Sequence, residues 1–182
     1  MGSEMCIRDS GEPGLFGHTS ALDWHANQAS SYERAPLIWL HGVKGTAGSC
    51  TSWIDMQAAY RDLPQSIKRE LADVEITLGY KSGSYSESEF FVEHHAEDRP
   101  FKLVHTNDAG KTGLYFPFLQ IFGMVGYEEH DFKQTMDWLI EHVLQDKYRY
   151  DHHWEDGDVV ISEQWLTIHK RHEFMDMSHR VL

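Results

Sequence analysis

The chain has 182 residues, 41% of them apolar, which suffices for one domain with its own core and excludes a disordered chain. With 29 acidic against 16 basic residues the net charge is −13, which argues against nucleic acid as a partner, since phosphate contacts need clustered Lys and Arg. No stretch approaches the ~18 consecutive apolar residues of a membrane span. Two cysteines, Cys6 and Cys50, form no disulfide framework, which fits a reducing, cytoplasmic setting.

Residues 1–10 (MGSEMCIRDS) have neither periodicity nor the apolar region of a signal peptide, and read as a non-native leader ahead of a single domain over 11–182. Pro36–Val43 is a short apolar run that reads as a buried strand. Thr51-Ser52 reads as a helix cap, because Trp53, Met56, Tyr60 and Leu63 follow at helical spacing. Pro64 opens a second helical stretch through Leu71, and Val74–Leu78 alternates as a strand does. Residues 81–100, rich in Ser, Glu, His and Asp, read as a long exposed loop of the kind that covers active sites. Phe101–Thr106 reads as a strand, Asn107–Gly110 as a turn, and Leu114–Phe118 as an apolar run before a variable loop. Glu128–Gln145 is the strongest helix, with Phe132, Met136, Leu139 and Val143 on one face. Tyr148–Trp154, the turn Glu155–Asp158 and Val159–Ser162 read as a hairpin. Strands dominate and helices are inserted among them, so the expected class is mainly β with flanking helices.

Thirteen histidines make any single one uninformative, so context must select among them. Three contexts combine. In Trp24-His25-Ala26-Asn27, residues two apart on a strand face one way, so His25 and Asn27 could address one metal. Thr167-Ile168-His169 supplies a second imidazole, and Arg180, eleven residues on, could pair with a carboxylate. Gly48–Trp53 places Thr51 where its hydroxyl could bond a bound carboxylate, although taken alone a plain N-cap at Thr51 or Ser52 is the better reading. Elsewhere, Glu93–Asp98 lacks the helical spacing of zinc proteases and reads as solvated loop, His105 and His152-His153 read as structural, and Gly42, Gly45 and Gly48 lack a phosphate-loop signature.

In order and spacing these motifs resemble the taurine dioxygenase and 2,4-dichlorophenoxyacetate dioxygenase family, over roughly residues 14–182. Trp24–Asn27 resembles its Trp-His-x-Asp motif, and Gly48–Trp53 its Gly-rich stretch ending in Thr. Phe101–Phe118 resembles its paired strands, and Trp154–His169 the approach to its distal His. The resemblance implies a double-stranded β-helix (jelly-roll), here truncated at both ends. It implies iron(II) on His25 and His169, and 2-oxoglutarate as cosubstrate, with Arg180 and Thr51 on its distal carboxylate. The implied activity is hydroxylation of a small organic substrate. The expected partner is the small-molecule substrate, with neither membrane nor nucleic acid and with a homo-oligomer left open; open sheet edges would favour aggregation or an unstable fold.

The departure from the pattern is Asn27, where the family has a carboxylate. Three readings stand: Asn27 or a water ligates the metal; an exogenous anion fills the place, as in halogenating relatives; or the site is degraded and the protein is a non-catalytic jelly-roll. Asp23 is a substitute carboxylate only if the chain runs differently.

Overall fold

The computed structural model describes residues 21–29, 31, 35–79, 100–174 and 182. Eleven strands and three helices lie among them. The strands are β1 (Leu22–His25), β2 (Leu37–His41), β3 (Cys50–Asp55), β4 (Glu75–Leu78), β5 (Phe101–Lys102), β6 (Val104–Thr106), β7 (Thr112–Leu114), β8 (Ile121–Met124), β9 (Arg149–His153), β10 (Val159–Glu163) and β11 (Thr167–Arg171). The helices are α1 (Met56–Arg61), α2 (Gln65–Leu71) and α3 (Glu129–Val143). The expected class, mainly β with flanking helices, is what the chain adopts.

Four strands form the principal sheet in the order β1-β11-β3-β9, with β2 and β10 paired separately and every pairing antiparallel. Trp53 Nε1 on β3 donates to Ser162 Oγ on β10 (3.1 Å), which fastens the small sheet to the principal one. Two further sheets, β5-β4-β8 and β6-β7, supply strands against which α3 and α1 pack, β8 and β7 respectively. The core runs along one side of the principal sheet, through Trp24, Ile54 and Ile168, and continues into Met56, Ala59, Leu114, Phe116, Leu139 and Val143. Because side chains alternate along a strand, burying Ile54 and Ile168 in that core turns Trp53 and His169 to the opposite face.

The Pro36–Val43 run forms a strand at Leu37–His41, but not a buried one: Leu37, Trp39 and Val43 are exposed. Three further readings of the sequence need correction. The helix after Thr51 begins only at Met56: Cys50–Asp55 is the strand between β11 and β9, and the cap is Asp55, whose Oδ1 accepts from Ala58 N–H (2.8 Å). Of the stripe Trp53-Met56-Tyr60-Leu63, only Met56 and Tyr60 lie on the helix. Second, β9 and β10 are strands, but they do not form a hairpin. β9 pairs with β3 and β10 with β2, so the turn at Gly157 (φ 96°) carries the chain from one sheet to the other. That corner is held by Gly42 N–H, which donates to the Asp158 carbonyl (2.8 Å), and a Cβ at Gly42 would sit 3.0 Å from the Glu155 carbonyl oxygen. Third, β8 falls where a loop was expected. The Phe101–Thr106 run also breaks at Leu103, whose N–H bonds the Val74 carbonyl (2.9 Å) while its own carbonyl accepts from Tyr115 (2.7 Å).

Candidate metal centre

His25 ends β1 and His169 lies at the middle of β11, and the antiparallel register sets them directly opposite each other. Their rings meet at a centroid distance of 4.2 Å, tilted by 54°. Both residues are buried. A bulge between Leu22 and His25 bends β1 just before its histidine, a usual device for re-aiming a side chain. The His25 Nδ1 lies 2.7 Å from the Asp23 carbonyl oxygen. A carbonyl can only accept, so Nδ1 carries the proton and Nε2 presents its lone pair. The Trp53 indole stacks on His169 (centroids 6.1 Å, 26°) and fixes that ring.

The electrostatics keep both rings uncharged. Burial pushes His25 down from its ordinary range to about 4; the Asp23 carbonyl opposes this and the Arg171 guanidinium adds to it. Burial, with His25 alongside, holds His169 well below its ordinary value. Neutral imidazoles are the form that binds metal.

Asn27 stands outside the strand: β1 stops at His25, and residues 27–29 form a turn in which Gln28 has φ 54°. Strand alternation therefore does not relate Asn27 to His25; the turn does. That turn is anchored from a distant segment. Gln120 Nε2 donates to the Ala26 carbonyl (2.8 Å), and its Oε1 accepts from Ala26 N–H (3.1 Å), so one buried amide satisfies both backbone groups between His25 and Asn27. The Tyr115 hydroxyl donates to the Ala29 carbonyl (3.0 Å), and Leu119 N–H to the Trp24 carbonyl (3.0 Å). Nothing in the sequence singled out Gln120; a polar residue within an otherwise apolar run, Leu114–Met124, was its only signal. Asp23 is no substitute ligand, because its carboxylate takes Lys170 Nζ (3.1 Å) and Lys170 alternates with His169 on β11.

Thr51 lies on β3, two residues before Trp53 and on the same face, paired in register with Arg171 of β11 and His152 of β9. Its Oγ1 accepts from the indole Nε1 of buried Trp154 (2.9 Å). It is no helix cap, and having accepted that bond it keeps its own proton to donate. On the other face of β3, the buried Ser52 hydroxyl bonds Asp151 Oδ1 (2.5 Å) and His172 Nε2 (2.6 Å), a staple across the sheet and away from the histidines. His105 stacks on Trp165 (4.1 Å) and His152 meets Trp154 edge-on (4.4 Å), as structural histidines do. Arg180, the expected loop 81–100 apart from Pro100, and the leader 1–10 lie outside the described residues. No described helix is long and apolar enough to cross a membrane.

Comparison with known proteins gives a consistent answer. The family model for "Taurine catabolism dioxygenase TauD, TfdA family" matches residues 4–182. Among curated proteins, the chain is 24% identical to the alpha-ketoglutarate-dependent 2,4-dichlorophenoxyacetate dioxygenase of Burkholderia sp. (strain RASC), covering 92% of this chain and 58% of that one. It is 22% identical to pentalenolactone F synthase of Streptomyces arenae, covering 91% and 61%. Among solved structures, AAD-2 in complex with Mn(II) and N-oxalylglycine superposes with a TM-score of 0.75 at 22% identity, over 92% of this chain and 62% of that one. A taurine dioxygenase from Burkholderia xenovorans gives 0.72 at 17%, over 94% and 65%. The chain thus spans about three fifths of the length of these relatives. The shared fold is the double-stranded β-helix of this group. On the match across nearly its whole length, the chain belongs to the TauD/TfdA family of iron(II)- and 2-oxoglutarate-dependent dioxygenases.

Proposed function

We propose that this chain forms the iron- and 2-oxoglutarate-binding part of a dioxygenase that hydroxylates a small organic substrate. His25, Asn27 and His169 would hold the metal, with Thr51 and Arg180 on the distal carboxylate of the cosubstrate. The observation that carries the reading is the His25–His169 pair: two buried, uncharged imidazoles brought to 4.2 Å from opposite ends of the chain. Such a pair fits a divalent transition metal, which favours imidazole donors. Among the described residues no group of three or more His, Cys, Asp or Glu surrounds it, so the third protein donor would be the neutral amide of Asn27.

Bound ferrous iron would supply the redox chemistry that couples loss of carbon dioxide from the cosubstrate to activation of oxygen. The residues of the chain supply geometry. The Asp23 carbonyl fixes the His25 tautomer, Trp53 sets the plane of His169, and Gln120 holds the backbone leading into Asn27. Thr51 would donate a hydrogen bond to the carboxylate, its rotamer held by the Trp154 indole N–H. Incubating the protein with iron(II), 2-oxoglutarate, oxygen and a panel of small organic acids tests the reading. Succinate should form, and its absence with every candidate would reject the reading. Asn27 favours a second reading, a jelly-roll that binds ligands without turnover. It predicts cosubstrate binding with no succinate from any substrate.

A further inference from the structure

The histidine pair is one end of a longer row. The register of the principal sheet sets His25 opposite His169, His169 opposite Trp53, and Trp53 opposite Tyr150, so a line of four rings crosses β1, β11, β3 and β9. Register partners leave the same face of a sheet. The ring centroids step by 4.2, 6.1 and 6.3 Å along the line. Trp53 is 5% exposed and Tyr150 56%, so the row leads from the buried pair to solvent.

The two outer rings differ in what their protons meet. The Trp53 indole N–H donates to the Ser162 hydroxyl (3.1 Å), which is too weak a base to take the proton. The Tyr150 hydroxyl lies 2.9 Å from Nδ1 of His152. On the far side of that ring, Nε2 lies 3.1 Å from Asp158 Oδ2. The approach is poorly aligned for a hydrogen bond, yet the carboxylate charge favours a proton on Nε2. In the neutral ring Nδ1 then accepts from the Tyr150 hydroxyl. Tyr150 therefore has a base within reach of its proton, and that base, once charged, faces a carboxylate. Indole and phenol rings both give up one electron to strong oxidants, and a phenol does so most readily when its proton has an acceptor.

We propose that Trp53 and Tyr150 form a redox relay that carries an oxidising equivalent from the histidine pair to the protein surface, with His152 taking the phenol proton. Trp53 passes one electron inward to a metal centre oxidised by oxygen or peroxide, and Tyr150 replaces it. The Tyr150 proton moves to His152 Nδ1, leaving a neutral tyrosyl radical and an imidazolium beside Asp158. Being exposed, Tyr150 is then open to reductants in solution. The relay would spare the buried rings when oxygen is activated with no substrate to consume the oxidant. This inference rests on the metal reading of His25 and His169 and adds a second, protective activity to it.

The test needs neither cosubstrate nor turnover. The chain is loaded with iron(II) under argon, freed of unbound metal, mixed with an equimolar amount of hydrogen peroxide and frozen at intervals for electron spin resonance. Peroxide takes two electrons at the metal, and Tyr150 returns one of them. The native chain should show a tyrosyl radical that ascorbate quenches. Tyr150→Phe should abolish it, with far-UV circular dichroism and Mn(II) affinity unchanged, and peptide mass spectrometry should then find added oxygen on Trp53. Trp53→Phe, which keeps a ring against His169, and His152→Gln should each lower the radical yield several-fold. A tyrosyl signal of native strength in Tyr150→Phe or in Trp53→Phe would overturn the inference. If the native chain binds no iron, the metal reading falls and this inference with it; if iron binds and no radical forms on Tyr150, only this inference falls.

Discussion

His25 and His169, 144 positions apart in sequence, are register partners on adjacent strands with their rings 4.2 Å apart. Two imidazoles this close and this buried can share a metal, but they cannot both become charged without cost. That constraint makes the pair measurable even without metal.

The first prediction concerns acid stability. Both histidines are neutral in the folded chain, with His25 lowered to about 4 and His169 well below its ordinary value, whereas in the unfolded chain each takes a proton near 6.5. A depressed histidine pKa means the unfolded state binds more protons between those values. Stability is therefore intact above about pH 6.5 and declines as pH falls toward about 4, with a slope approaching about 1.4 kcal/mol per pH unit for each histidine. Urea midpoints of the metal-free chain measured from pH 7.5 to 4.5 should fall, and His169→Gln should make the profile shallower. A profile that is flat over this range would contradict the buried, neutral pair.

Asn27→Asp puts a carboxylate at the position proposed for the third metal donor. Mn(II) affinity should rise about tenfold or more, followed by the loss of the free-ion electron spin resonance signal. Unchanged affinity would place residue 27 away from the metal.

Gln120→Leu keeps the volume roughly and removes both bonds to Ala26. Two buried backbone groups lose their partner, at about 1–3 kcal/mol each, and Mn(II) binding should weaken about 10- to 100-fold although Gln120 does not touch the ion. Gln120→Glu keeps an acceptor for Ala26 N–H but no donor for its carbonyl, and should fall between. If thermal stability drops while metal affinity stays fixed, Gln120 serves the core alone.

Thr51 has two tasks that one pair of variants separates. Thr51→Val leaves the Trp154 indole N–H buried without an acceptor, so the chain should lose about 1–3 kcal/mol and 2-oxoglutarate should bind more weakly. Thr51→Ser keeps the hydroxyl and should approach the native chain in both. Thermal unfolding and calorimetry give the two readouts.

How much of this was legible in the sequence differs from residue to residue. Glu129–Val143 was, because an amphipathic stripe carries its own period, and Leu37–His41 was legible as a strand but not in its exposure, since an apolar run does not say which faces are covered. Trp53 reads as helical because Met56 and Tyr60 extend its spacing into a real helix; what makes it a strand residue is its pairing with Tyr150 and His169, which lie far away in sequence. The β9–β10 segment looked like a hairpin for the same reason: two strands and a Gly turn are local features, whereas the choice of partners, β3 and β2, is made by sheet packing. His25 and His169 were singled out by their contexts, Trp24–Asn27 and Thr167–His169, but that β1 and β11 set them opposite each other is decided by sheet pairing. Gln120 was not, since its significance lies only in which backbone groups it meets.

One measurement bears most directly on the central claim that His25 and His169 form a site for iron and 2-oxoglutarate. The chain is titrated anaerobically with iron(II) and then 2-oxoglutarate while the visible spectrum is followed. A metal-to-ligand charge-transfer band should appear only when both are present and should be lost in His169→Ala. A band that never appears in folded protein, or one that survives His169→Ala, would contradict it.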